Sequence, residues 1–62
     1  MELEYTYKQD GKFFVGNLDE YPEYPTQGFS IDELEINLLD IYNMVKDGTL
    51  EAKSHGVFKV AG

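Results

Sequence analysis

Phe29-Ser30-Ile31-Asp32-Glu33-Leu34-Glu35-Ile36-Asn37-Leu38-Leu39-Asp40-Ile41-Tyr42-Asn43-Met44-Val45-Lys46-Asp47-Gly48 is the stretch that organises the chain. Ser30 suits the N-cap of a helix, and Glu33 three residues later completes a capping box. Phe29 before the cap and Leu34 at the fourth helical position are spaced for a hydrophobic staple. Asp32, Glu33 and Glu35 favour the positive end of the helix dipole, and Lys46 suits the other end. Gly48 fits the C′ position. The signals predict a helix over 31–47, roughly 25 Å long. At about 100° per residue, Ile31, Leu34, Leu38, Ile41, Tyr42 and Val45 form one stripe, which reads as core. Ile36 and Leu39 fall outside that stripe, on the side that also carries Asp32 and Asn43.

The residues before this helix read as strands. Leu3, Tyr5 and Tyr7 alternate with Glu2, Glu4, Thr6 and Lys8, the period of a half-buried strand. Asp10-Gly11 reads as a tight hairpin turn with glycine supplying positive φ. The return strand runs from Lys12 to Leu18, with Gly16 marking a bulge or a close backbone approach. Residues 19–25 hold both prolines and read as an irregular loop, in which Tyr21 and Tyr24 precede proline and are pushed to extended geometry. Thr26-Gln27 adds a short third strand that ends at Gly28. After the helix, Gly56-Val57-Phe58-Lys59-Val60 reads as a last short strand. The fold class is therefore α+β: β-β-β-α-β, a small, mostly antiparallel sheet with one helix packed on one face, in a single domain over residues 1–62.

Size and charge narrow the function. Sixty-two residues bury only about 60% of the surface their unfolded chain exposes, so the core is thin. Small folds often add disulfides, a metal or self-association. With no cysteine and a single histidine, disulfides and a Cys- or His-based zinc site are excluded. Self-association through a sheet edge or the open face is the remaining support, with a dimer favoured. Twelve Asp and Glu stand against five basic residues, a formal net charge of -7. Such a field repels nucleic acid and attracts basic proteins. The start of the chain lacks the basic and apolar regions of a signal peptide, and no apolar run approaches a membrane span, so a cytoplasmic location is expected.

No enzymatic signature appears. Ser54-His55 lacks an orienting acid and adjacent residues rarely aim at each other. The carboxylates show no calcium-loop spacing, and the glycines fit no phosphate-binding loop. A base-stacking sheet would be expected to carry positive charge, which Glu2 and Glu4 contradict. No catalytic residue, metal or cofactor is expected.

Residues 11–38 resemble the N-terminal domain of the HicB antitoxins. The resemblance is carried by Gly11-Lys12-Phe13-Phe14-Val15-Gly16, Tyr21-Pro22, Thr26-Gln27-Gly28 and Ser30-Ile31-Asp32-Glu33-Leu34, and continues through Asn37-Leu38. It implies a truncated ribonuclease H-like fold without that enzyme's catalytic carboxylates. It also implies a function: binding and occluding HicA, a small basic RNA-cleaving toxin. The loop 18–25 is longer and differently composed than the family's usual Pro-Asp-Leu-Pro-Gly, and Leu34 stands where the family usually has a small residue. No C-terminal DNA-binding module follows, so operator binding is not expected. On this reading Tyr21, Glu23 and Tyr24 of the loop, Asp32 and Glu33 at the helix start, and Ile36 and Leu39 on its outer side are the candidate partner-binding residues. The alternative is an orphan, homo-oligomeric structural or adaptor domain without a toxin partner.

Overall fold

A computed structural model describes residues 2–51 and 57–61. Three strands, β1 (Tyr5–Asp10), β2 (Phe13–Leu18) and β3 (Thr26–Gly28), precede one helix, α1 (Ile31–Lys46). The sheet is antiparallel throughout, in the order β1-β2-β3. This is the small α+β arrangement that the periodicities predict.

The hairpin closes one residue later than the sequence suggests. Asp10 pairs with Phe13, so Gly11 and Lys12 form the two-residue loop. Gly11 has φ +63°, and among the described residues no non-glycine residue has positive φ. Only the first loop position therefore needs the left-handed region, the place where two-residue hairpins favour glycine. Pairing from Tyr5↔Leu18 to Asp10↔Phe13 is unbroken, so Gly16 marks a close approach and not a bulge. A Cβ there would lie 2.9 Å from Thr6 O and from Tyr7 Cβ, and 3.3 Å from Leu34 Cδ2.

α1 starts as its caps dictate. Ser30 is extended (φ -141°, ψ 165°), and its Oγ accepts a hydrogen bond from Glu33 N–H at 3.1 Å. Glu33 reaches back one residue beyond the cap, accepting from Phe29 N–H at 3.3 Å. Phe29 is exposed and packs its ring on Phe13, centroids 4.7 Å apart, and Leu34 is fully buried beside the sheet glycines. The helix ends at Lys46, one residue short of the predicted end. Asp47 caps it, and Gly48 follows with φ +86°. Hydrogen bonds from Thr49 hold the Asp47 carboxyl below its ordinary range.

Leu18, Leu34 and Leu38 are the buried core, with Leu3, Tyr5, Phe14, Tyr21, Ile41 and Tyr42 packed around it. The helix lies over β2 and β3. Gly28 sets how close it sits: a Cβ at that position would fall 2.6 Å from Leu34 N and 3.0 Å from Leu34 Cα. β1 extends beyond the helix, and Tyr7 remains about half exposed although it points to the helix side.

The last strand of the β-β-β-α-β order does not form within the described residues. Val57–Val60 has no strand structure, and Val57, Phe58 and Val60 are more than four-fifths exposed. Strand propensity is chiefly the fit of a side chain to a pleated, half-buried surface. Without a paired neighbour the segment has no such surface. Gly56, and the Ser54-His55 pair, lie outside the described residues.

Candidate protein-interaction surface

Two concavities meet at the N-terminal side of β1. The larger is a cleft of about 360 Å³ where the start of the chain, the end of β2 and the helix C-terminus converge. Leu3, Leu18, Tyr21 and Tyr42 supply its apolar and aromatic lining, and Glu2, Glu4, Asp19 and Glu20 its charge. The backbone explains the convergence. Asp19 N–H donates to Glu4 O at 3.0 Å, which extends the β1–β2 ladder one step beyond the strand ends. Tyr21 N–H donates to Leu18 O at 3.1 Å, turning the chain so that the Tyr21 ring returns to the core. Asp19 is fixed by Thr6, whose hydroxyl donates to Oδ1 at 2.7 Å. Lys46 Nζ sits 5.5 Å from the centre of the Tyr42 ring, so this ring already faces a cation.

The second concavity, about 190 Å³, is a mainly apolar groove between β1 and the helix. Leu3, Tyr5, Leu18, Leu38 and Leu39 line it together with Glu35. Tyr5 donates its hydroxyl to Glu35 Oε2 at 2.6 Å. That bond, then desolvation and the nearby negative charge, push the Tyr5 pKa up to about 12. Leu3 and Leu18 line both concavities, so cleft and groove form one continuous surface.

The residues singled out from sequence do not all share it. Tyr21 lines the cleft and Leu39 the groove. Glu23 and Tyr24 are half-buried in the loop, where the Tyr24 hydroxyl donates to the Glu51 carbonyl. Asp32 and Glu33 are exposed at the other end of the helix, about 15 Å along the axis from Tyr42. Glu33 is occupied with capping. Ile36 is exposed on the helix but lines neither concavity. Sequence reasoning did not place Leu3, Tyr5 and Tyr42 on a binding surface: it read Tyr42 as part of the helix's core stripe and Leu3 and Tyr5 as one face of a half-buried strand. It missed Glu2 and Glu4 too, because nothing in the chain's periodicity says that the helix leaves β1 uncovered.

Among the described residues no cluster of three His, Asp or Glu side chains is placed to hold a metal ion. No helix in the described residues is long and apolar enough to cross a membrane. No protein-family model matches the chain, and neither curated proteins nor solved structures show a significant match to it.

Proposed function

We propose that this chain is a HicB-like interaction module that binds a small basic, RNA-cleaving protein of the HicA kind and occludes its RNA-binding surface. The observation that carries the reading is the cleft at the head of β1, where four carboxylates stand around Leu3, Tyr21 and Tyr42. A Lys or Arg side chain laid into it gains charge-assisted hydrogen bonds from the carboxylates, and an Arg also gains ring contact. A ribonuclease presents such side chains where it holds phosphates. An acidic surface that covers them competes with RNA for the same charge, and the net charge of -7 steers the encounter.

The test is a pull-down of the tagged chain expressed from its own locus, read by mass spectrometry, followed by titration of the recovered protein. A stoichiometric small basic protein is expected. Its affinity should fall at least about tenfold in a Glu4→Lys/Glu20→Lys variant, and association should slow as salt rises. Reversal of Asp32 and Glu33 in parallel separates the cleft from the helix start. Recovery of the chain alone at low and moderate salt would refute the reading and favour the orphan homo-oligomer, which the uncovered edge of β1 also supports.

A further inference from the structure

We propose that the segment Val57–Val60 of one copy adds as a fourth strand to the free edge of β1 in a second copy, giving a symmetric dimer joined by two exchanged strands. An edge strand offers a row of unpaired backbone groups to any extended segment that can lie beside it. The two edges of this sheet differ. β3 has only three residues, is preceded by Pro25, and its Gln27 carbonyl already accepts from Asn37 Nδ2 at 2.8 Å. β1 has six residues, no proline, and borders the groove of Leu3, Tyr5, Leu38 and Leu39.

The occupant is written in the same chain. Val57, Phe58 and Val60 are 85%, 84% and 81% exposed, in a protein whose described residues include only three buried hydrophobic side chains. As a strand, this segment points Phe58 and Val60 to one face and Val57 and Lys59 to the other. Against β1, Phe58 and Val60 fill the groove beside Leu3 and Tyr5, under Leu39. Lys59 then lies on the opposite face, where Glu2, Glu4 and Thr6 alternate along the edge, and opposite charges in neighbouring strands attract. A second copy is the donor because in the single copy the segment forms no strand and lies exposed instead of in its own groove. The Cα radius of gyration, 14.3 Å, exceeds the roughly 11 Å of a compact chain this long, and the extents are 48 × 30 × 20 Å. The exchange is isologous, each copy giving one strand and receiving one.

This interface does not rest on the toxin reading, and its failure would leave that reading standing. The test is sedimentation equilibrium of the full chain from about 1 µM to about 1 mM. The expected result is a shift from 7.1 kDa toward twice that mass. Phe58→Glu, at a position already exposed in the single copy, should weaken the association at least about tenfold while leaving the circular dichroism of the sheet and helix unchanged. In a chain without cysteine, the double variant Leu39→Cys/Val60→Cys should cross-link between copies under mild oxidation. Monomer mass throughout, a dimer indifferent to Phe58→Glu, or a cross-link formed within single copies would overturn the proposal.

Discussion

Gly28→Ala isolates the contact that docks the helix. Gly28 does not have positive φ, so alanine meets no backbone penalty there. With open space around it, the change would stabilise the protein by about 0.4–1 kcal/mol through a less flexible unfolded chain. The space is not open. The added methyl carbon falls 2.6 Å from Leu34 N, 3.0 Å from Leu34 Cα and 3.1 Å from Glu33 C, against an optimum near 3.5–4.0 Å. All three atoms belong to the first turn of α1, which Ser30 and Glu33 pin in place, so no side chain can swing aside. The helix must lift by nearly an ångström, which costs Leu34 and Leu38 part of their contact with the sheet. Overpacking of this kind costs about 1–3 kcal/mol. A domain this size has about 3–9 kcal/mol in total, so a melting temperature lower by roughly 10–20 °C is expected. Urea unfolding followed by circular dichroism measures it. Gly11→Ala is the control, a strained φ of +63° with nothing within 4 Å, and its cost is about 1–2 kcal/mol from the left-handed backbone alone. Adding Leu34→Ala to Gly28→Ala should give no rescue, because the obstruction is backbone. A Gly28→Ala protein as stable as the parent, or more so, would refute the close approach.

Other consequences are as direct. Ser30→Ala removes the acceptor for Glu33 N–H and should cost about 1 kcal/mol, measured in the same urea unfolding, with Ser30→Asp retaining most of the stability. Leu34→Ala empties the most buried position, 0% exposed; a loss of about 2–5 kcal/mol should leave near-native far-ultraviolet dichroism with a broadened thermal transition. Tyr5, with its pKa raised from 10.0 to about 12, contributes stability that is complete below pH 10 and lost as the pH rises toward 12. Absorbance titration should therefore show one late tyrosine that disappears in Tyr5→Phe, and the alkaline fall in melting temperature should flatten over the same range.

What the sequence shows well is local. The glycine of the hairpin and the cap at Ser30 are satisfied by neighbours within a few residues, so they read directly from spacing; the strand expected over 2–8 forms as Tyr5–Asp10 instead, because its start is set by pairing with Leu18. Phe29 has a contact that no spacing announces. Its ring packs on Phe13, while Leu34 is fully buried beside Gly16 and Gly28. The position of the helix over the sheet is harder still. It depends on which strands can be approached closely, and that follows from Gly16 and Gly28 lying opposite Leu34 in space. Reading those glycines together with Leu34 would have located the helix over β2 and β3. The candidate surface at Leu3, Tyr5 and Tyr42 would then have followed as the part of the helix-facing side left uncovered.

The same displacement of the helix ties the thin core to the interaction surface. A 16-residue helix centred on a three-stranded sheet would cover Leu3 and Tyr7 and leave only polar edges. Here Gly28 draws its first turn onto β3, the shortest strand, and Gly16 admits Leu34 beside β2. The helix is thereby held to one side, and the apolar residues of β1 remain as a shelf next to four carboxylates. Burying that shelf requires a second surface that is apolar where it meets Leu3 and Tyr5 and basic where it meets Glu2, Glu4 and Glu20. The Val57–Val60 segment meets the first requirement and, with a single lysine, only part of the second. A basic partner protein of the proposed kind would have to meet both. Both proposed occupants would need the groove residue Leu3, so a chain dimerised by its own tail should bind a basic partner more weakly as its concentration rises. Titration at two protein concentrations reads that competition, and an affinity independent of the dimer fraction would show that cleft and groove act separately.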